Sequence, residues 1–357
     1  MIDLRSDTVT RPTPPMLQAM LAADVGDDVM GEDPTVNRLE QMMADLFDME
    51  AAVFACSGTQ SNQMGVRVHC IPGDELLINE TGHIANFEGG APAALSGVTV
   101  RTIAGAHGKL EITDLDGKVR HNDQHFCRTR LVCLENTTNL GGGYCYSLEH
   151  LRRVARWARE HQLRLHLDGA RLFNAIVATG ASAKDIGQCF DTISVCFSKG
   201  LGCPMGSILI GSAEHIQQAR RVRKLFGGAL RQAGFAAAAA IHAMENHVDR
   251  LAEDHSNARR LANLLAAIDG IRIDAAAVET NLVFFDIDAE LGTAIQLAAA
   301  LRERDILVGP MGGQRMRAVT HLDVPATAIE TTASAIAECV QRGFRDQTTS
   351  GKGPYGR

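Results

Sequence analysis

Apolar positions spaced three and four apart alternate along this chain with short apolar runs, a pattern that predicts helices set between the strands of a mainly parallel sheet. Val36, Leu39, Met42, Met43 and Leu46 share one helical face after Asp33-Pro34, a pair suited to cap and open a helix running to about Phe47. Strands are expected over 51–56, 75–78, 98–103, 130–134, 163–167, 192–197 and 207–210, with one helix opening at Ser57–Asn62 and another over 147–161. A helical stretch over 213–268, broken near Gly227-Gly228, leads to a second group of elements. That group has strands over 271–273, 282–287, 306–308 and 316–319, and helices over 293–304 and 325–341. The expected division is an N-terminal arm over 1–15, a large α/β domain over 16–245 and a small α+β domain over 246–346. Residues 347–357, QTTSGKGPYGR, are polar and glycine-rich and are expected to form a disordered tail. No internal repeat interrupts the pattern.

Length supports two domains, since 357 residues exceed what one core usually serves. A net charge of -7, with no Lys/Arg cluster, argues against a nucleic-acid surface. The opening MIDLRSDTVTRP is charged from the start, and no apolar run approaches the roughly 20 residues of a membrane span. The alanine-rich run Phe235–Ala243 is too short and reads as a helix packed through small side chains. Nine cysteines lie mostly in apolar runs without CxxC or zinc spacing, so they read as reduced thiols of a cytoplasmic protein and supply no metal site.

Within this frame Lys199 stands out, closing the β run Ile193–Phe197 between Ser198 and Gly200 in uncharged, glycine-rich sequence. A lysine so placed is expected to be desolvated, which lowers an ammonium pKa and favours the free amine that attacks carbonyls. The alternative is a strand-end lysine reaching out to water. The run Leu163–Leu167 ends in Asp168, followed by Gly169, Ala170 and Arg171. A carboxylate closing one strand and a lysine closing another is what a pyridoxal phosphate site requires, one for the ring nitrogen and one for the aldehyde carbon. The strand-to-helix turn SGTQSN, Ser57–Asn62, is a candidate phosphate cup, although many such turns are simply helix caps. His83, in ETGHIANFEGG, could stack on a flat ring, act as a base near neutral pH, or be structural. Neither GxGxxG nor GxxxxGK[ST] occurs, so dinucleotide and Walker-type sites are not supported.

Eight segments in order carry a resemblance: DLRSDTVTRPT (Asp3–Thr13), GEDPTVNRLE (Gly31–Glu40), CSGTQSNQ (Cys56–Gln63), HFCRTRLVCLENTTN (His125–Asn139), HLDGARLFNA (His166–Ala175), SVCFSKGLGCPMGS (Ser194–Ser207), GGALRQAG (Gly227–Gly234) and RAVTHLDV (Arg317–Val324). Together they closely resemble the low-specificity L-threonine aldolases, from about residue 3 to 343. The resemblance implies a fold-type I pyridoxal phosphate enzyme, with a large cofactor-binding α/β domain on a mainly parallel sheet, a smaller α+β domain, and an N-terminal arm that contributes to the active site. It implies pyridoxal 5'-phosphate held by Lys199, with Asp168 on the ring nitrogen, Gly58 and Thr59 on the phosphate and His83 stacked on the ring. Arg171 would lie beside the cofactor and, with Ser6 and Arg317, fix the substrate carboxylate. His125 would approach the β-hydroxyl, and Arg231 would reach a neighbouring subunit's phosphate in a homo-oligomer, a dimer of dimers. The implied reaction is retro-aldol cleavage of L-threonine, L-allo-threonine and related L-β-hydroxy-α-amino acids to glycine and an aldehyde, with His83, His125 or a water as base. Other fold-type I activities (β-eliminating lyase, aminotransferase, amino-acid racemase) would share Lys199 and Asp168, as would a catalytically silent binding protein of the same fold. One departure stands out: Met30 occupies the position where the family commonly has a tyrosine, so any contact of that phenol is missing.

Overall fold

A computed structural model describes residues 1–345 and 347, so the tail expected over 347–357 falls outside the described residues apart from Gln347. The chain forms two compact units, Pro12–Val248 and Met1–Arg11 with Asp249 onward. Its strands in chain order are β1 (Ile2–Leu4), β2 (Ala51–Ala55), β3 (Asp74–Asn79), β4 (Thr99–Ile103), β5 (Arg128–Glu135), β6 (Arg164–Gly169), β7 (Thr192–Cys196), β8 (Ser207–Gly211), β9 (Ile271–Arg272), β10 (Leu282–Ile287), β11 (Ile306–Gly312) and β12 (Arg315–Val319).

The larger unit is built on a seven-stranded sheet in the order β2-β8-β7-β6-β5-β3-β4. β8 runs antiparallel to β2 and β7, and the remaining pairs are parallel. Several strands are apolar on both faces, as in Leu131–Leu134 and Ile208–Ile210, because helices cover the sheet on either side. Parallel pairing puts the carboxyl ends of β5, β6 and β7 at one edge, with Glu135 opposite Asp168 and Asp168 opposite Ser194. Open α/β sheets bind ligands at that edge.

The helix Pro34–Phe47 begins as the sequence predicts, with Asp33 Oδ1 accepting the Val36 N–H at 3.0 Å and proline in the first turn. Its buried face differs from the expected one: Val36, Leu39, Met43, Ala44 and Phe47 are buried, whereas Leu46 is exposed. Leu46 and Phe47 lie about 100° apart on a helix, and only one can face the sheet. Glu40 enters the same face by accepting the Phe54 N–H at 2.8 Å and pairing with Arg220.

The stretch 213–268 becomes three helices, Ala213–Leu225, Gly234–Asn246 and Leu251–Ala266. The first break comes where expected, with Gly227 in the left-handed region at φ 78°. The second, at 247–250, carries neither glycine nor proline. It comes where one compact unit ends and the other begins.

In the smaller unit the sheet order is β1-β11-β12-β10-β9, with β1 parallel to β11 and the other pairs antiparallel. The helices Leu251–Ala266, Ala294–Arg302 and Ala326–Arg342 bury Leu261, Leu265, Leu297, Leu301, Ile329 and Ile336 in a core with Phe285 and Met316. The first residues of the chain are therefore a strand of this unit. Among the described residues no helix is long and apolar enough to cross a membrane.

Candidate active site

Lys199 follows β7 in the turn that reverses the chain into β8. The turn is held by Phe197 N–H donating to Gly206 O at 3.0 Å and Gly202 N–H to Lys199 O at 2.8 Å. The lysine is half-buried rather than sealed. β6 ends on Asp168, which is 2% exposed. Gly169 follows because a Cβ there would stand 2.4 Å from Ser194 O of the adjacent strand. The Asp168 carboxylate accepts from Ala170 N–H at 3.1 Å and from Asn62 Nδ2 at 2.8 Å.

Asn62 comes from the helix Gly58–His69, which Ser57 opens by accepting the Gln60 N–H at 3.2 Å. The same amide donates to Glu88 Oε1 at 2.8 Å, and Gln63 donates to Glu88 Oε2. Glu88 in turn holds His83 Nδ1 at 2.9 Å. Burial pulls the His83 pKa down, but the hydrogen bond to Glu88 and the charges of Asp168 and Glu88 outweigh it and hold the ring above its ordinary value, with Lys199 opposing. His83, Glu88 and Asp168 bring donor atoms within 4.8 Å of one another, a spacing a cation could use. In this chain the Asn62 amide supplies the positive end between the two carboxylates.

Behind His83 stands Glu135, the last residue of β5. Its carboxylate accepts the backbone N–H of His83 at 2.9 Å and of Asn139 at 2.7 Å. Burial, followed by the charge of Asp168, pushes its pKa up to about 7. Cys196, the final residue of β7, is fully enclosed. Its thiol is raised by burial and feels Lys199, Asp168 and Arg171 at once. A Cβ on Gly58 would lie 2.4 Å from Cys196 Sγ, so the first turn of the helix carrying Gly58 and Thr59 is packed directly against the strand that delivers Lys199.

The structure thus gathers Lys199, Asp168, Arg171, His83 and Gly58 around one sheet edge. Of the other expected residues, His125 lies elsewhere. His125 is exposed three residues before β5, its N–H bound to Asp123 at 2.9 Å. At about 3.3 Å per residue the far end of β5 is roughly 23 Å away, so within one chain His125 does not join Lys199 and His83. Arg231 is exposed and pairs with Asp27 at 2.8 Å. Met30 is 69% exposed in the turn Asp28–Met30. In the smaller unit the fully buried Arg317 of β12 donates to Arg5 O at 3.1 Å, beside Ser6, whose Oγ accepts the Thr8 N–H at 3.2 Å.

Asn62, Gln63, Glu88 and Glu135 were not singled out from the sequence. The only hint was their type: polar residues in otherwise small or apolar surroundings, Asn62 inside a turn read solely as a phosphate cup.

A family model described as beta-eliminating lyase matches residues 3–289. The chain is 43% identical to the probable low-specificity L-threonine aldolase 2 of Arabidopsis thaliana over 92% of this chain and 94% of that protein. It is 44% identical to the low specificity L-threonine aldolase of Escherichia coli K12, over 91% and 95% of the two chains. Among solved structures, the threonine aldolase of Leishmania major has a TM-score of 0.82 at 22% identity, covering 95% of this chain and 100% of the other.

Proposed function

The chain belongs to the beta-eliminating lyase family, among the low-specificity L-threonine aldolases, and from that membership we propose that it cleaves L-threonine, L-allo-threonine and related L-β-hydroxy-α-amino acids to glycine and an aldehyde. It is a pyridoxal phosphate-dependent lyase with the type I fold. The observation that carries the residue assignments is the meeting of Lys199, Asp168 and His83 at the carboxyl ends of β6 and β7.

Pyridoxal 5'-phosphate suits the residues present. The first turn of the helix Gly58–His69 offers backbone N–H groups to a phosphate, and Gly58 has no room for a side chain that would block it. Asp168 is a buried carboxylate whose donors here are amides, suited to a protonated ring nitrogen. The cofactor, when bound, supplies an aldehyde carbon for an amine and a ring that accepts the electron pair released as the substrate Cα–Cβ bond breaks.

Every other part of the reaction falls to this chain. Lys199 Nζ would be the amine that holds the cofactor's aldehyde carbon and gives way to the substrate's amino group. Asp168 would hold the proton on the ring nitrogen. Arg171, buried one residue past the Asp168 turn, takes the substrate carboxylate in its planar fork. His83 would stack on the cofactor ring. With Nδ1 on Glu88, its Nε2 is the nitrogen that accepts the β-hydroxyl proton directly or through a bound water, as that oxygen becomes the aldehyde carbonyl.

The active form is a homo-oligomer, a dimer of dimers, in which the exposed Arg231 and His125 serve a neighbouring copy. The nine cysteines are all free, which suits the cytoplasm. The test is an absorbance spectrum of the purified protein with and without L-threonine, with products assayed. A cofactor band that changes on addition, with glycine and acetaldehyde in equal amounts and neither pyruvate nor amine transfer, supports the reading. Pyruvate or a transferred amine would replace it with β-elimination or transamination.

A further inference from the structure

Beneath the helix Gly58–His69 a line of buried polar side chains runs from its last turn back to its second. His69 Nε2 lies 2.8 Å from Thr192 Oγ1, which lies 2.9 Å from His166 Nδ1; His166 Nε2 lies 3.2 Å from Asn62 Oδ1. Asn62 Nδ2 then reaches Asp168 Oδ2 and Glu88 Oε1, both at 2.8 Å. None of these six residues is more than 6% exposed. Gly65 makes the line possible, since a Cβ there would stand 2.5 Å from the His166 ring.

With both rings neutral, these side-chain contacts assign the protons one direction. Carboxylates accept, so the amide nitrogen of Asn62 must face Asp168 and Glu88, and its carbonyl must face His166. His166 therefore donates through Nε2. A neutral ring then accepts at Nδ1, so the Thr192 hydroxyl donates to it. That hydroxyl has no second proton, so His69 donates to it through Nε2. The remaining atom, His69 Nδ1, is left as a bare lone pair, and it is buried without a hydrogen-bond partner. A lone pair tolerates that position better than a buried N–H.

Burial favours the neutral form of both rings. Burial, then the charges of His215, His166, Arg164 and Arg130, puts His69 well below its ordinary pKa. Burial takes His166 down to about 4 against the opposite pull of the Asp168 charge and of the Thr192 main chain.

We propose that His69, Thr192, His166 and Asn62 form a one-way donor chain whose task is to fix the Asn62 amide. Asn62 is then the positioning residue that holds Asp168 toward the cofactor nitrogen and Glu88 toward His83. This rests on the cofactor reading above, because it assigns Asp168 to the ring. A half-turn of the amide would set its carbonyl against two carboxylates, so the two histidines, which touch neither cofactor nor substrate, decide how Asp168 is presented.

The wild-type holoenzyme labelled with 15N-histidine tests the chain directly. Long-range nitrogen–proton correlations are expected to show His69 and His166 as neutral Nε2–H tautomers at neutral pH. An Nδ1–H tautomer or an imidazolium at either position overturns the proposal. Thr192→Val, which removes the hydroxyl at the same size, is expected to weaken pyridoxal phosphate binding about tenfold, the order of one charge-assisted hydrogen bond, and to shift the pH midpoint of the cofactor absorbance. Thr192→Ser is expected to restore both. Unchanged affinity and spectrum in a folded Thr192→Val protein overturn the proposal as well. The tautomers decide the matter even where that variant does not fold. Cofactor binding and acetaldehyde release by the wild type are measured in the same preparation, so failure of the function is seen separately from failure of the chain.

Discussion

Glu135 accepts the backbone N–H of His83 at 2.9 Å, so the last side chain of β5 anchors the first residue of the short helix His83–Asn86. The ring of His83 is held separately, by Glu88. Main chain and side chain of one candidate catalytic residue are thus fixed by two different buried carboxylates, and each can be removed without the other.

The anchor carries a pH signature. Burial raises Glu135 from an ordinary 4.5 to about 7, so between those values the folded protein holds a proton that the unfolded chain has released. The stability this group contributes is present at the acid end of that window and lost as pH rises through about 7. Glu135→Gln cannot titrate. Urea unfolding of both proteins across the window should show wild-type stability declining relative to the variant as pH rises. A difference that stays constant with pH would count against the buried titration.

The ring contact predicts a kinetic shift. Glu88 raises the His83 pKa, and a neutral His83 is needed to accept the hydroxyl proton. Glu88→Gln should therefore move the acid limb of the kcat/KM profile to lower pH. An acid limb that stays in place or moves up would take His83 out of the role of base.

Lys199→Ala should leave no measurable turnover and no cofactor fixed to protein by borohydride, with the far-ultraviolet circular dichroism unchanged, because only an amine can bind the aldehyde carbon. Asp168→Asn should keep the fold but lower kcat by roughly 10²- to 10³-fold, the order seen when one preorganised partner of developing charge is removed. Wild-type turnover in either variant would reassign the residue.

His125 lies before β5, at the end away from Lys199, and Arg231 is exposed, where the resemblance has it reach a neighbouring subunit's phosphate. A symmetric assembly gives them a site to serve. Sedimentation should show a dimer or a dimer of dimers, and mixing inactive Lys199→Ala chains with inactive His125→Ala chains should restore part of the activity. An active monomer near 38.3 kDa would exclude this arrangement.

What the sequence disclosed followed from local chemistry. Asp33-Pro34 announces its helix because the cap oxygen and the proline act within one turn. The strands β5, β6 and β7 announce themselves as short, mostly apolar runs, although the buried His166, Thr192 and Ser194 interrupt two of them. Lys199 and Asp168 were legible as strand-end residues. The rest depends on distance along the chain. Asn62 meets Asp168 across 106 positions and Glu88 across 26, and no periodicity encodes such a meeting. The strand Ile2–Leu4 was hidden because its partner, β11, lies some three hundred residues on, and a three-residue strand has too little pattern to reveal itself. Leu46 misled because an apolar residue at a plausible spacing need not be on the buried face when Phe47 is next to it.

The site also predicts which stereocentre matters. At Cα, with Arg171 on the carboxylate, the amino group in the place of Lys199 and His83 over one face of the ring as proposed, three directions would be assigned and only one hand would direct the breaking bond across the ring plane. L-configuration should be required there. At Cβ the hydroxyl is expected to meet one of His83 Nε2, His125 of a neighbouring copy or a water, and a single polar contact discriminates epimers by no more than a few kcal/mol. Met30 adds nothing within its own chain, being exposed and without a hydroxyl to offer. L-threonine and L-allo-threonine should therefore both be cleaved, with the allo form favoured, and D-threonine should not. Acetaldehyde release coupled to NADH oxidation measures all three. Comparable kcat/KM for D- and L-threonine would show that the carboxylate and amino group are not fixed as assigned, and strict rejection of one L-epimer would reveal a second contact to the hydroxyl.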